Sequence, residues 1–274
     1  MRQNEDEVDL REFDLIVINS SAGKDSQAML DEMYRRTKNA GVTERLVVVH
    51  ADLGNVEWKG TRELAERQAA AYGIRFEVVA KTDGETLLQY VERRKMWPSS
   101  TARYCTSDFK RGPIRTVFTK LVAEFRAKHA LTFSSRKVRI LNCMGLRAQE
   151  SPARAKKRIF EFDQSASNSR RSVYNYLPIF NWRTEQVWER IKESGVEHHK
   201  AYDLGMPRLS CVFCIFAPEA ALITAGIHNA ELLDQYIAVE DRIEHLFRKD
   251  FSLRKVRDAI SAGTAVGTIE SWSM

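Results

Sequence analysis

With 274 residues, 43% hydrophobic and 29% charged, the chain is long enough to bury a full core and too apolar for a disordered protein. No apolar run approaches a membrane span and residues 1–7 lack a signal-peptide core, which argues against a membrane or secreted protein and makes a cytoplasmic one the expectation. The net charge of +6 is uneven: residues 1–14 are acidic in excess, whereas 136–139, 154–158 and Arg170-Arg171 are basic, as suits nucleotide phosphates, a nucleic acid or a merely solvated surface.

The first half alternates strand and helix. Leu15-Ile16-Val17-Ile18 opens a buried strand over 15–19, and Ala28, Met29 and Met33 share one face of a helix over 26–38. A second strand over 45–50, a helix over 58–72, a third strand over 74–80 and a helix over 85–95 follow. This rhythm predicts an α/β fold with a parallel sheet covered on both faces. Residues 96–110 read as a loop, 114–129 as a helix and 138–144 as another strand. The polar, basic stretch 146–169 reads as a flexible active-site loop. A helix over 184–194, a cysteine-bearing loop and an almost wholly helical 219–262 complete the chain. The expected organisation is an α/β domain over 1–215 with a helical C-terminal cap over 216–274.

Chemistry concentrates where the first strand meets its helix, at Ser21-Ala22-Gly23-Lys24-Asp25-Ser26. Small residues there let backbone N–H groups turn toward an anion at the helix N-terminus, and Lys24 adds a point charge. A Walker A loop would need glycine where Ile18 stands and Ser or Thr where Asp25 stands, and a dinucleotide fingerprint would need more glycines than Gly23. The plainer alternative is a polar turn capped by Asp25 or Ser26.

Three other segments add to the loop. Asp52, in His50-Ala51-Asp52-Leu53-Gly54, stands at the carboxyl edge of the second strand, where it could meet a ribose or magnesium or simply make a turn. Arg147 and Arg154, after the strand ending at Gly145, could grip phosphate with Glu150 orienting them, or form an exposed salt bridge at a helix start. Cys211-Val212-Phe213-Cys214 could clasp a metal or form a redox pair, with Cys105 as third ligand. Cys143, inside an apolar strand, suits the core and is held as a further candidate ligand. His198 and His199 could complete a zinc site, although an exposed loop pair is the commoner arrangement.

These segments together resemble the phosphoadenosine-phosphosulfate (PAPS) reductase family of the PP-loop ATP pyrophosphatases. The resemblance rests on Ser21–Ser26, His50–Gly54, Arg103–Pro113, Gly145–Arg154, Leu177–Trp182 with Val187-Trp188, and Tyr202–Cys214, in family order over about four-fifths of the chain. It implies a parallel five-stranded Rossmann-like sheet. It also implies ATP as substrate with Mg2+, held by Ser21, Ala22, Gly23, Lys24, Asp25, Ser26, Asp52, Lys110, Arg147 and Arg154, with Lys24, Asp25 and Arg147 as catalytic groups. Trp182 and Trp188 are assigned to packing.

Two departures bear on the reaction. The sequence has no cysteine after Cys214, where sulfonucleotide reductases carry a nucleophilic one, and Thr106 follows Cys105 where cluster-bearing reductases have a second cysteine. The pattern is more similar to sulfur-inserting relatives, such as those of DNA phosphorothioation and tRNA thiolation. That likeness implies a [4Fe–4S] cluster, alternatively Zn2+, on Cys105, Cys211 and Cys214. It further implies a nucleic-acid or polyanionic acceptor met by the basic loop from Arg147 to Arg171, and a sulfur donor such as a cysteine desulfurase. A homodimer, PAPS or APS reduction, and a non-catalytic nucleotide- or nucleic-acid-binding module are left open.

Overall fold

The computed structural model describes residues 8–132, 135–270 and 272. In chain order the elements are β1 (Leu15–Ser20), α1 (Lys24–Ala40), β2 (Leu46–Ala51), α2 (Thr61–Ala70), β3 (Arg75–Val79), α3 (Leu87–Arg94), α4 (Tyr104–Thr106) and α5 (Gly112–Lys128). There follow β4 (Val138–Cys143), α6 (Pro152–Ala155), β5 (Phe160–Phe162), β6 (Arg171–Tyr176), α7 (Thr184–Ser194), α8 (Glu219–His228), α9 (Ala230–Ile243) and α10 (Leu253–Ser261). Two compact units arise. The first takes the described residues of Met1–Ala51, Arg62–Val79 and Ile114–His198; the second those of Asp52–Thr61, Ala80–Pro113 and His199–Met274.

The first unit is a six-stranded sheet in the order β3-β2-β1-β4-β6-β5. Five strands run parallel, as expected, and β5 pairs antiparallel with β6 as a short edge. Both faces are buried because the pleat sends alternate residues of β1 to opposite sides. Ile16 and Ile18 join Met29, Met33, Val48 and Leu141 on one face. Leu15 and Val17 join Phe118, Leu121, Ile140 and Val173 on the other. Helix α7 lies on α1 through Val187 and Ile191 against Ala28, with Trp182 and Trp188 beside them.

Strand β6 was not expected, since Arg171 breaks its apolar pattern. That arginine is buried: Nε donates to Ala166 O (2.8 Å) and Nη1 to Thr119 Oγ1 (2.8 Å), so these two donors are satisfied inside the fold. The expected loop over 146–169 is also more ordered than its polarity suggests. It holds a 3-10 turn at Ala148–Glu150, then α6 and β5.

In the second unit the expected loop over 96–110 contains α4 and a π-helical turn, Ser107–Arg111. The stretch over 219–262, expected to be almost wholly helical, holds three helices. Glu244, in the left-handed region at φ 51°, closes α9. Buried Glu240 then ties α9 to the start of α10, accepting from Phe247 N (2.6 Å), Ser252 Oγ (2.9 Å) and Leu253 N (2.9 Å). Around it Trp97 stacks on Tyr236 (5.3 Å, 10°), and Phe213 and Phe247 meet the Tyr236 ring edge-on. The segment from 216 onward thus belongs to a larger unit that also contains 199–215.

Candidate functional site

The loop in the first unit is built by close backbone approach. After β1 the chain turns through Ala22, buried and left-handed at φ 55°, whose N–H donates to Ser20 Oγ (3.2 Å). Gly23 is the N-cap of α1 and brings no side-chain acceptor, so neither Asp25 nor Ser26 caps the helix. No side-chain cap bond is therefore made at the N-terminus of α1, the kind of helix end that can receive an anion. Ser26 instead stitches the loop together: its hydroxyl donates to Gly23 O (2.9 Å) and accepts from Ser21 N (3.2 Å). Gly145, just past β4, presses on this turn. A Cβ there would come within 2.8 Å of Asp25 O and 2.9 Å of Asp25 C, so only glycine fits.

Charges run beneath the loop in a short buried chain. The Lys24 ammonium lies 3.4 Å from one Asp25 oxygen, and the other accepts from Arg147 Nε (2.7 Å). Lys24 is 5% exposed and Arg147 3%, so solvent screens these contacts little. Arg147 Nη1 is held by Gln149 Oε1 (2.8 Å), Trp182 O (3.2 Å) and Thr184 Oγ1 (3.3 Å). Glu150 accepts from Arg147 N (2.9 Å) and pairs with Arg154. Nε and Nη1 of Arg147 are thus engaged within the unit, and Arg147 braces Asp25, which stands against Lys24.

Neither Gln149 nor Thr184 was singled out from the sequence. Thr184 stands at the first position of α7, and nothing in its spacing points to Arg147. The tryptophan segment packs as expected, and in addition lends the Trp182 carbonyl to the site.

In the second unit, Cys105, Cys211 and Cys214 pack against the apolar core and lie within electrostatic reach of Lys110. Burial lowers the pKa of Lys110, but Cys211, Glu57, Cys105 and Cys214 outweigh it and leave the ammonium above its ordinary value. Burial pushes the Cys211 thiol up to about 12 and raises that of Cys214 as well. Cys211 is paired through its backbone to Glu57, and the buried Tyr236 hydroxyl feels all three sulfurs. Among the described residues, however, no group of three or more His, Cys, Asp or Glu side chains is arranged to hold a metal ion. Lys110, expected among phosphate ligands, has Glu57 and the three thiols as its ionisable neighbours. Asp52 belongs to this unit too, and its carboxylate accepts from Gly54 N (2.8 Å), a turn geometry.

The remaining candidates separate clearly. Cys143 sits on β4 in the core of the first unit, and burial raises its thiol pKa. His199 is not the exposed loop residue expected: it is buried, accepts from Ala201 N (3.1 Å) and lies 3.2 Å from Thr61 Oγ1. His198 meets the Trp188 ring edge-on at 5.5 Å. Of the basic stretches, Arg136 is bidentate on Asp14 (2.6 and 2.7 Å) and Arg139 pairs with Glu12 (2.9 Å), which uses the N-terminal acidic excess. Arg147 and Arg171 are buried, so Lys156, Lys157 and Arg158 are the exposed cations of the 147–171 segment beside Arg170.

A parallel sheet with an anion-ready loop at the carboxyl end of β1 defines an α/β nucleotide-binding class. The family model for the phosphoadenosine phosphosulfate reductase domain matches residues 15–217, and the chain belongs to that family. An uncharacterized 37.8 kDa protein of Escherichia phage 186 is 30% identical over 160 residues, covering 58% of this chain and 42% of the relative. An uncharacterized protein of Methanocaldococcus jannaschii is 26% identical over 201 residues, covering 73% and 43%. The chain thus matches about two-fifths of the length of these relatives. The crystal structure of phosphoadenylyl-sulfate (PAPS) reductase from Candida auris, a phosphate complex, is similar at 18% identity with a TM-score of 0.48. That likeness covers 77% of this chain and 89% of the other. Among the described residues no helix is long and apolar enough to cross a membrane.

Proposed function

We propose that the chain is an ATP-using enzyme that cleaves between the α and β phosphates and adenylates an acceptor for sulfur transfer. The observation that carries this reading is the buried Lys24–Asp25–Arg147 chain beneath the side-chain-free N-cap of α1. Loop amides and Lys24 neutralise the departing pyrophosphate, Ser21 and Ser26 hold the loop in shape, and Asp25 fixes Lys24 while Arg147 fixes Asp25. Mg2+, which the Ser21–Ser26 loop and Asp52 would hold together with the nucleotide, would supply charge neutralisation at the phosphates. Asp52 is assigned to the nucleoside or metal and Arg154 to phosphate; Lys110, from its neighbours, is assigned to the thiols.

Cys105, Cys211 and Cys214 are the residues that would carry a [4Fe–4S] cluster or Zn2+, and their thiol chemistry suits such a group. A cluster with three protein ligands would supply an open iron to bind sulfide. The acceptor is a nucleic acid, as in DNA phosphorothioation, and a desulfurase-type partner supplies sulfur.

Lys24→Ala should lower pyrophosphate release from ATP by roughly 100-fold or more with folding intact. Wild-type turnover in that variant would reject the reading. The family match also favours a second reaction, reduction of a sulfonucleotide. Sulfite release from PAPS with thioredoxin, without pyrophosphate from ATP, would establish it instead.

A further inference from the structure

The second unit contains a cavity of about 300 Å³ that neither the loop nor the thiols explain. Its volume lies at the small end of ligand sites, roughly 300–1,000 Å³. Trp97, Phe216 and Phe247 form its apolar wall, and His245, Arg248 and Lys249 stand around it. Every ionisable side chain that lines it is basic. Trp97 and Phe247 are buried, and Trp97 is pinned by its Nε1 donating to His245 O (3.1 Å). Phe216 is held by the Arg103 guanidinium 5.4 Å from its ring centre. Arg248 is anchored by Nη1 on Ala217 O (2.7 Å). Phe216 also lies two residues from Cys214, so the wall of the cavity continues directly into the thiol segment.

Rigid aromatic walls accept a planar ring, and a lining whose ionisable side chains are all basic favours an anion, although Glu219 acts on Arg248 from nearby. A group that carries both a ring and a phosphate satisfies the two at once. We infer that this cavity receives one nucleotide of a single-stranded nucleic acid, its base against Phe216 and its phosphate at Lys249 and His245. The inference rests on the reading of the acceptor as a nucleic acid and gives that acceptor a seat beside the thiols.

The test is anisotropy of labelled 15-residue oligothymidylate and oligouridylate with the full chain, without ATP, between about 50 and about 200 mM salt. Phe216→Ala should weaken binding roughly fivefold or more, the loss of one stacked base. Lys249→Ala, an exposed change that leaves the core untouched, should flatten the dependence of log K on log salt by about 0.7, one phosphate contact on a single strand. Parent-like affinity and slope in both variants would overturn the inference. So would loss confined to a Lys156→Ala/Lys157→Ala variant, or displacement of the oligonucleotide by oligoglutamate of equal charge. Because ATP is absent, failure of the pyrophosphate assay with these dependences intact would reject the ATP chemistry and leave the cavity assignment standing.

Discussion

The two units place charged groups in contrasting ways. In the first, the loop site is bonded throughout: Lys24 stands on Asp25, Asp25 on Arg147, and Arg147 on Gln149, Thr184 and the Trp182 carbonyl. In the second, one ammonium is within electrostatic reach of Glu57 and of three thiols packed on an aromatic and aliphatic core, and no metal-ligand set is drawn together among the described residues. A site that stabilises charge arising on a bound nucleotide works best when its dipoles are fixed beforehand. A site that takes up sulfur or a cluster needs reactive groups gathered and shielded, with geometry completed by what binds. Each difference can be tested by disturbing one unit and watching the other.

The largest effect is expected at the tightest contact. Gly145→Ala would force a methyl into the backbone of Asp25, so α1's first turn must shift. Overpacking of this kind typically destabilises by about 1–3 kcal/mol, and misplacement of Lys24 by about an ångström is enough for a roughly 100-fold loss of turnover. Pyrophosphate assays and thermal melts of the purified variant read both quantities. A variant with parental turnover would mean that the loop tolerates rearrangement and is not preorganised.

A counterpart in the second unit is Glu240→Ala. It leaves Phe247 N, Ser252 Oγ and Leu253 N without their acceptor. A lost buried partner costs about 1–3 kcal/mol, so urea denaturation should show a drop of about 3 kcal/mol. Hydrogen exchange should place that loss in α9 and α10. Equal loosening of β1 and α1 would show that the two units unfold as one.

The sequence made the strands and the loop legible wherever periodicity was strong, as in 15–19 and 45–50. The parallel order followed from the alternation of strand and helix. What it concealed was long-range. Trp182 and Thr184 meet Arg147 from 35 and 37 residues away, and no local spacing encodes that meeting. Strand β6 was hidden because a buried arginine looks like a surface residue until its acceptors on Ala166 and Thr119 are known. The motif of Lys110 points to phosphate, whereas its electrostatic links to Glu57, Cys211 and Cys214 join distant stretches that no local spacing connects. The same holds for His199, whose neighbour in space is Thr61.

The smallest effect concerns the amino end of β1, opposite the end that carries the loop. Asp14 is partly buried, which by itself raises its pKa. The bidentate Arg136, helped by Arg139 N–H (2.8 Å), outweighs burial and holds the carboxyl below its ordinary value. A carboxylate whose folded pKa is depressed contributes stability that is complete above its unfolded pKa and vanishes as pH falls through the folded one. Asp14→Asn should therefore lower stability at neutral pH by about 1 kcal/mol, reduced by the exposure of Arg136. The gap from the parent should close as acid carries the solution from the ordinary carboxylate range to below it. Melts of the two proteins across that interval check the prediction. A gap that stayed constant with pH would assign the contribution of Asp14 to shape rather than charge, and would bring this end closer to the packing-held second unit than to the charge-braced loop.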